Sequence, residues 1–368
     1  MDVDVVIVNY RLGAGCVRAA ESVVGEVGAD RVWVVDNSED PVESKFLRER
    51  LPTGSRLVVA PSNIGFGAAC NLVYGRTRAE GFLLLNPDAY FQPGSVTLLV
   101  RHLASHPRVG AVSPRASLDP DGIVRMPDLL VPEWWHELMA EPEVRASWGF
   151  LRRRARGWRM RHIFGWVSES PYRVDGIPGG HVLLRRKAVD ASGGLFDPAF
   201  FMYYEDADLA RRMASGGYES WVVPASRAVH LAYGTRHPEP GFKSRMELES
   251  GRRYRAKHFG LNWRLRLWRA WSSLYPGRAS VKPYERADLE AGVDVPVEWR
   301  DDWVVEFSTH PLLMPACTWR GQGARACLPA GVVKDMPVDA GYLRLGSARD
   351  FRQVGKVFRW IRRSPEAP

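Results

Sequence analysis

Long apolar runs are absent from this 368-residue chain: no stretch approaches the roughly 18–20 consecutive apolar residues that a membrane-spanning helix needs. The opening residues MDVDVVIVNY carry no basic leader and read as a strand, not a secretion signal, so a cytoplasmic location is expected. Cysteine is scarce. Cys16, Cys70, Cys317 and Cys327 show no CxxC spacing, which excludes a disulfide framework or a thiolate zinc site as the organising principle and leaves core thiols. Internal repeats and low-complexity tracts are missing too, as are a Walker loop, a GxGxxG turn and any known nucleic-acid-binding motif, so no nucleic-acid partner is expected.

What remains is ordinary for a globular protein, at 45% apolar and 25% charged residues. The balance of 51 basic against 42 acidic side chains, a net +9, suits an anionic partner: nucleic acid, lipid headgroups or a phosphorylated substrate. Charge alone does not choose among these, nor separate them from a merely solvated basic surface.

The first 113 residues alternate strand and helix patterns. Residues 2–10, Arg31–Val35, Arg56–Ala60, Gly81–Leu85 and Val109–Ser113 read as strands. Leu12–Gly28, Val42–Leu51, Gly65–Arg78 and Pro93–Ser105 read as helices. Short connections of this kind predict an α/β fold, a mostly parallel sheet with helices on both faces, whose ligands bind beyond the carboxyl ends of the strands. Residues 117–170, rich in tryptophan and arginine, read as an insertion or lid. Regular structure returns at Val174–Arg186, and two further strands are expected at Ser220–Pro224 and Ala228–Leu231. The domain plan is therefore a core over 1–240, a basic amphipathic helical region over 241–279, a linker over 280–296 and a small β-rich appendage over 297–368, closing on a basic helix-like run at 351–363.

Polar residues gather at the strand ends. Asp36 in VVDNS can accept hydrogen bonds from a nucleotide's base or ribose, or can cap the next helix. The turn PSNIGFGAACN, with Gly65 and Gly67, offers helix N–H groups to phosphate, or is a plain helix start. In LLLNPDA, Asn86 and Asp88 can present two oxygens to a hard divalent cation, or form an Asn-Pro-Asp turn. FFMYYEDADLARR places Glu205, Asp206 and Asp208 after buried aromatics at a helix start, where they can cap the helix or take up a substrate proton. Arg211 and Arg212 can pair with Asp208 or with a substrate phosphate. His230 ends an apolar strand as a structural residue or a manganese or magnesium ligand.

Taken in order, VIVNY, VVDNS, SNIGFGAACN, LLLNPDA, GGHVLLRR, GLFDPAFFMYYEDADLARR and AVH resemble the family 2 glycosyltransferases with the GT-A fold, and within them a rhamnosyltransferase-like branch, over about residues 3–231. The resemblance implies an inverting, metal-dependent transfer from a nucleotide-diphosphate sugar. It implies donor-site roles for Asn9, Asp36, Asn63, Gly65, Gly67, Asn71, Asn86, Gly179 and Gly180, and metal ligation of Mn2+ or Mg2+ by Asp88 and His230. Asp206 would be the catalytic base, with Glu205 or Asp208 as a second carboxylate near the reacting carbon. Asn86 departs from the family's DxD pattern at its first position. The implied partners are a dTDP-, UDP- or GDP-linked sugar such as rhamnose or another deoxyhexose, and a glycan, lipid-linked or small-molecule acceptor.

Basic-aromatic stretches at 151–166, 252–271 and 351–363 suit peripheral contact with an anionic membrane, or are helices packed through their tryptophans with arginines reaching water. The alternatives are a degenerate transferase kept as a carbohydrate-binding or membrane-docked partner, and a nucleotidyltransferase. The latter needs a basic glycine-rich loop that Arg11, Gly13 and Gly15 only faintly resemble.

Overall fold

The computed structural model describes residues 1–136, 148–232, 239, 241–260, 263, 267, 270, 284–336 and 338–362. They fall into two compact units, one of 1–120, 128–131 and 168–260, the other of 121–127, 132–167 and 261–368.

The first unit begins with β1 (Val3–Asn9), α1 (Gly13–Val27), β2 (Val32–Asp36), α2 (Pro41–Arg50), β3 (Arg56–Val59), α3 (Phe66–Tyr74) and β4 (Gly81–Leu85). The order β3-β2-β1-β4 is parallel throughout. β1 is buried along its whole length, as expected of a central parallel strand covered on both faces. Its alternate residues feed two cores. Val5 and Ile7 pack with Ala19, Val23, Leu99 and Leu103 on one face; Val6 and Val8 pack with Ala69, Val73, Leu209 and Met213 on the other.

β5 (Ala89–Phe91), α4 (Ser95–Ser105) and β6 (Val109–Ser117) follow; then, beyond α5 (Trp148–Val167) of the second unit, come β7 (Tyr172–Val174), β8 (His181–Arg185), α6 (Arg186–Ala191), α7 (Glu205–Ser215), β9 (Glu219–His230) and α8 (Phe242–Phe259). The completed order is β3-β2-β1-β4-β8-β6-β9-β5, with β7 also on β9. Six of the nine strands run one way; β5, β7 and β8 run against them. Where two strands were expected at 220–231 there is one, β9, whose pairing with β6 shifts register between Pro114 and Arg115. The irregularity absorbs Pro224, which has no N–H to give to a ladder.

The second unit carries a five-stranded sheet in the order β10 (Glu285–Ala287), β16 (Val354–Ile361), β15 (Ala340–Ser347), β12 (Trp303–Ser308), β13 (Cys317–Gly321), with a small pair, β11 (Val293–Asp294) on β14 (Arg325–Ala326), and α9 (Ala330–Asp335). The helix expected at 351–363 is the strand β16 over Val354–Ile361. Lys356, Arg359 and Arg362 imitate a helical spacing, but Val354, Val357, Phe358, Trp360 and Ile361 favour a pleated surface, and Trp360 is buried opposite Gly341. The segment expected as a linker contributes β10 and β11. Of the expected alternation of Arg264, Arg266 and Arg269 with Trp263, Trp268 and Trp271, all but Trp263 lies outside the described residues.

The segment read as an insertion or lid supplies α5, and α5 is joined to this sheet by charge. Arg159 on its buried face donates from Nε to both carboxylate oxygens of Glu306 at 2.9 Å, and Arg344 approaches the same oxygens at 3.0 Å. Glu306 is fully buried in the middle of β12. A residue between Leu151, Ala155, Trp158, Ile163 and Trp166 would ordinarily be apolar; here the charge is met by a carboxylate and is geometrically specific.

Replacing Glu306 by Gln strands the buried Arg159 guanidinium and the half-buried one of Arg344. We expect Glu306→Gln to lose about 3–5 kcal/mol of stability, read as an earlier transition in urea; a variant as stable as the wild type contradicts the assignment.

Candidate active site

A cleft of about 350 Å³ opens in the first unit beyond the carboxyl ends of β1 and β4, where the parallel topology predicts a ligand site. At one end are Asn86, Asp88 and His230. The Asn86 N–H donates to the Gly180 carbonyl at 2.9 Å, and the Leu231 N–H donates to the Asp88 carbonyl at 3.0 Å. With Leu85 paired to His181 and Ala89 to His230, these bonds set Asp88 Oδ1 3.2 Å from His230 Nε2. The Asn86 amide lies 3.5 Å from the same nitrogen. Burial raises the Asp88 carboxyl, but the hydrogen bond and charge of His230, with Lys243 across the cleft, outweigh it and hold Asp88 below the usual carboxylate range. Behind His230, its Nδ1 meets Nδ1 of His181 at 3.2 Å; burial, then His230, drives His181 down to about 3, so its ring is neutral.

At the other end, α7 begins with Glu205 and Asp206. Tyr203 and Tyr204 enter it with φ of +70° and +68°, two consecutive non-glycine residues in the left-handed region, at a cost of about 1–3 kcal/mol each. The helix has no side-chain cap before it. Asp206 takes that place from within, its Oδ1 accepting from its neighbour Ala207 N–H at 2.7 Å and its Oδ2 from Gly179 N–H at 3.2 Å. Burial raises Asp206 despite those donors. Burial and then the Asp206 charge push Glu205 up to about 8.

The residues expected at a donor site divide into two groups. Asn63, Gly65, Asn86, Gly179 and Gly180 line the cleft with Asp88, Glu205, Asp206 and His230. Gly65 has φ +84°, and a Cβ there would lie 2.5 Å from the Phe201 carbonyl oxygen. Asn9, Asp36, Gly67, Asn71 and Asp208 are not on its lining. Asn9 Nδ2 donates to Asp36 Oδ1 and to Glu43, both at 3.0 Å, and Ser44 closes on the other Asp36 oxygen, locking the ends of β1 and β2 together. Asn71 pins the approach to α7, its amide bonded both ways to the Phe196 backbone at 2.8 and 3.0 Å; Gly67 packs under Phe196 and Phe200. Asp208 is fully buried among Arg212 at 2.8 Å, Lys257 at 2.7 Å and His258 at 2.8 Å, a cluster that ties α8 to α7. Arg211 turns instead to the Tyr254 hydroxyl, 2.9 Å away.

Among the polar lining residues, Asn37, Tyr10, Tyr203 and Lys243 carry no functional reading from the sequence. Asn37, beside Asp36, bonds the Asn63 side chain at 2.8 Å; the strand-end position was its signal. Tyr10, the last residue of VIVNY, had the same signal. Lys243 had none, because only the tertiary fold brings the start of α8 to the cleft.

Asp88 and His230 suit a divalent cation, and a Cβ on Gly180 would lie 2.7 Å from His230 Cε1 and 2.8 Å from Asn86 Nδ2, so the backbone is shaped to leave these groups room. Among the described residues no cluster of three or more His, Cys, Asp or Glu side chains could hold a metal unaided. A cation here would draw its other oxygens from a substrate diphosphate and water, a common arrangement for magnesium.

An α/β sheet with a carboxylate–imidazole pair and a half-buried acid in one cleft at its strand ends has the layout of a group-transfer site. Residues 4–175 match the model of glycosyl transferase family 2. The N-acetylglucosaminyl-diphospho-decaprenol L-rhamnosyltransferases of two Mycobacterium tuberculosis strains are each 29% identical over 215 residues, covering 54% of this chain and 66% of the relative. The chain thus spans just under two thirds of the length of these curated relatives. Solved structures with a similar course include GalNAc-T7 with UDP, GalNAc and Mn2+ (TM-score 0.43, 15% identity, 62% of this chain and 44% of that one). A mannosyltransferase from Pyrobaculum calidifontis with GDP-Man and Mn2+ gives TM-score 0.41, 17% identity, 75% of this chain and 81% of that one.

Gly180→Ala should displace His230 and Asn86 in a folded protein, read as a shift of the His230 imidazole resonances; unchanged resonances refute this packing.

Proposed function

We propose that the protein is an inverting glycosyltransferase that moves a sugar from a nucleoside diphosphate to an acceptor hydroxyl, with Asp206 as base. The observation that carries this reading is a half-buried carboxylate, held by two backbone N–H groups, in the same cleft as the Asp88–His230 pair. Asp206 takes the acceptor proton as the hydroxyl attacks the anomeric carbon from the face opposite the leaving group. Fixed by the Gly179 and Ala207 N–H groups, it needs little reorganisation to do so. Asp88 and His230, with Asn86 beside them, would hold Mn2+ or Mg2+, which when bound neutralises charge on the departing diphosphate. Lys243 adds a cation on that side, and Asn37 and Asn63 face the nucleoside end.

The donor sugar is rhamnose or a related deoxyhexose, and the acceptor a lipid-linked glycan; the mycobacterial relatives, named for rhamnosyl transfer to a decaprenyl-diphosphate-linked N-acetylglucosamine, support both. No described helix is long and apolar enough to cross a membrane. Contact with an anionic bilayer falls to basic faces such as that of α5, where Arg152, Arg153, Arg154, Arg156 and Arg161 are exposed with Phe150 and Phe164. The nucleotidyltransferase alternative loses its support, since Gly13 and Gly15 lie inside α1 and form no phosphate loop.

Two variants test the reading. Asp206→Asn should lower transfer by about 10²–10⁴-fold while leaving nucleotide binding intact; equal turnover removes Asp206 as base. Titration of UDP, dTDP and GDP with and without manganese should show one metal-dependent binder, lost in Asp88→Ala. A folded protein that binds none of them favours the degenerate carbohydrate-binding alternative.

A further inference from the structure

Glu205 is the one acid on the cleft wall whose needs the protein leaves unmet among the described residues. It is 6% exposed and lines the cleft, yet its Oε2 has no hydrogen-bond partner. Asp206, the next residue, receives two backbone N–H groups. Nor does a described lysine, arginine or histidine form an ion pair with Glu205, whereas Asp208, three residues on, has Arg212, Lys257 and His258 within hydrogen-bond reach. The titratable groups that face it are acidic: Asp206 on its own helix, the Cys70 thiol from α3 and the Tyr203 phenol before α7. The thiol and the phenol are both raised, first by burial and then by carboxylates that include Glu205. A carboxylate shut away from water with no donor but its own backbone N–H is costlier than the neutral acid, and a buried polar atom without a partner, as Oε2 is, implies one that arrives with the ligand.

We propose that Glu205 works as a neutral carboxylic acid, donating a hydrogen bond from the cleft wall to a hydroxyl of the bound sugar or acceptor and leaving Asp206 as the ionised member of the pair. This revises the expectation that Glu205 supplies negative charge near the reacting carbon, and it rests on the reading of Asp206 as base. The two adjacent acids then have distinct work: Asp206 accepts the reacting proton, and Glu205 holds its own proton throughout and orients a hydroxyl. The sign of the pH dependence follows. An acid raised to about 8 keeps its proton at neutral pH and loses it as pH rises through that value, placing a second negative charge beside Asp206 and ending the hydrogen bond. Transfer should therefore fall on the alkaline side near pH 8.

The test has two arms. Infrared difference spectra of the wild type minus Glu205→Gln, titrated from acid to alkali without substrate, should show a protonated-carboxyl band that persists through neutrality and vanishes near pH 8. In the second arm, Glu205→Gln, which keeps a donor, should transfer within about tenfold of the wild type and lack the alkaline fall. Glu205→Ala should lose about 10²–10³-fold, as for removal of one preorganised donor. Absence of the band at neutral pH overturns the proposal, as does a Glu205→Gln protein that binds nucleotide yet is as inactive as Asp206→Asn. Should no donor sugar be transferred at all, the function fails, while the infrared arm still decides the state of Glu205.

Discussion

Everything in the cleft depends on two antiparallel joins made across long stretches of chain. β8 pairs with β4, and β9 with β5, so that His181 stands opposite Leu85 and His230 opposite Ala89. The bond from Asn86 N–H to the Gly180 carbonyl continues the first ladder one step past the end of β4. Without these joins Asp88 sits on an ordinary turn; with them it has an imidazole 3.2 Å away and a glycine pair beside it, one of which presents its N–H to Asp206. A parallel β/α unit supplies the platform, and the antiparallel β8 with the later strand β9 carries the second half of the site to it. The main chain does this positioning, which is why glycines at 179 and 180 matter as much as the acids.

Three carboxylates within four residues of α7 then behave differently because their surroundings differ. Asp208 is held low by Lys257, Arg212 and His258 against a burial that pushes the other way, and acts as an electrostatic rivet between helices. Asp206 has backbone donors and is raised by burial nonetheless. Glu205 has burial and a like-charged neighbour. Identity and spacing set none of this; partners do.

That contrast also explains what the sequence could and could not disclose. β1, β2 and β4 were legible because a central parallel strand must be apolar throughout, and VDVVIVN, VWVVD and GFLLL are nearly so. The polar clusters at the strand ends were legible as clusters, and Asn63, Asp88, Glu205, Asp206, Gly179, Gly180 and His230 do meet in one cleft. Asn9, Asp36 and Asn71 could not be told from them, since a side chain that can bind a ligand at a strand end can equally close an internal hydrogen bond there. Lys243 was invisible because nothing in α8's own pattern records what it faces. In the second unit, β16 was hidden by basic residues at helical spacing, and the α5–β12 attachment by a sequence separation of 147 residues between Arg159 and Glu306.

The left-handed tyrosines ahead of α7 have a thermodynamic meaning of their own. Glycine at 203 or 204 would adopt the same backbone with far less steric conflict, so the native sequence holds there a conformation that a smaller residue would accept more readily. Tyr203 lines the cleft and Tyr204 packs against Tyr254, 5.4 Å between ring centroids, so both side chains are in use. The chain therefore gives up backbone ease to keep two aromatic rings in place and to aim the first turn of a helix, and the search for a more heat-resistant form of this protein would begin at the very residues its chemistry can least spare.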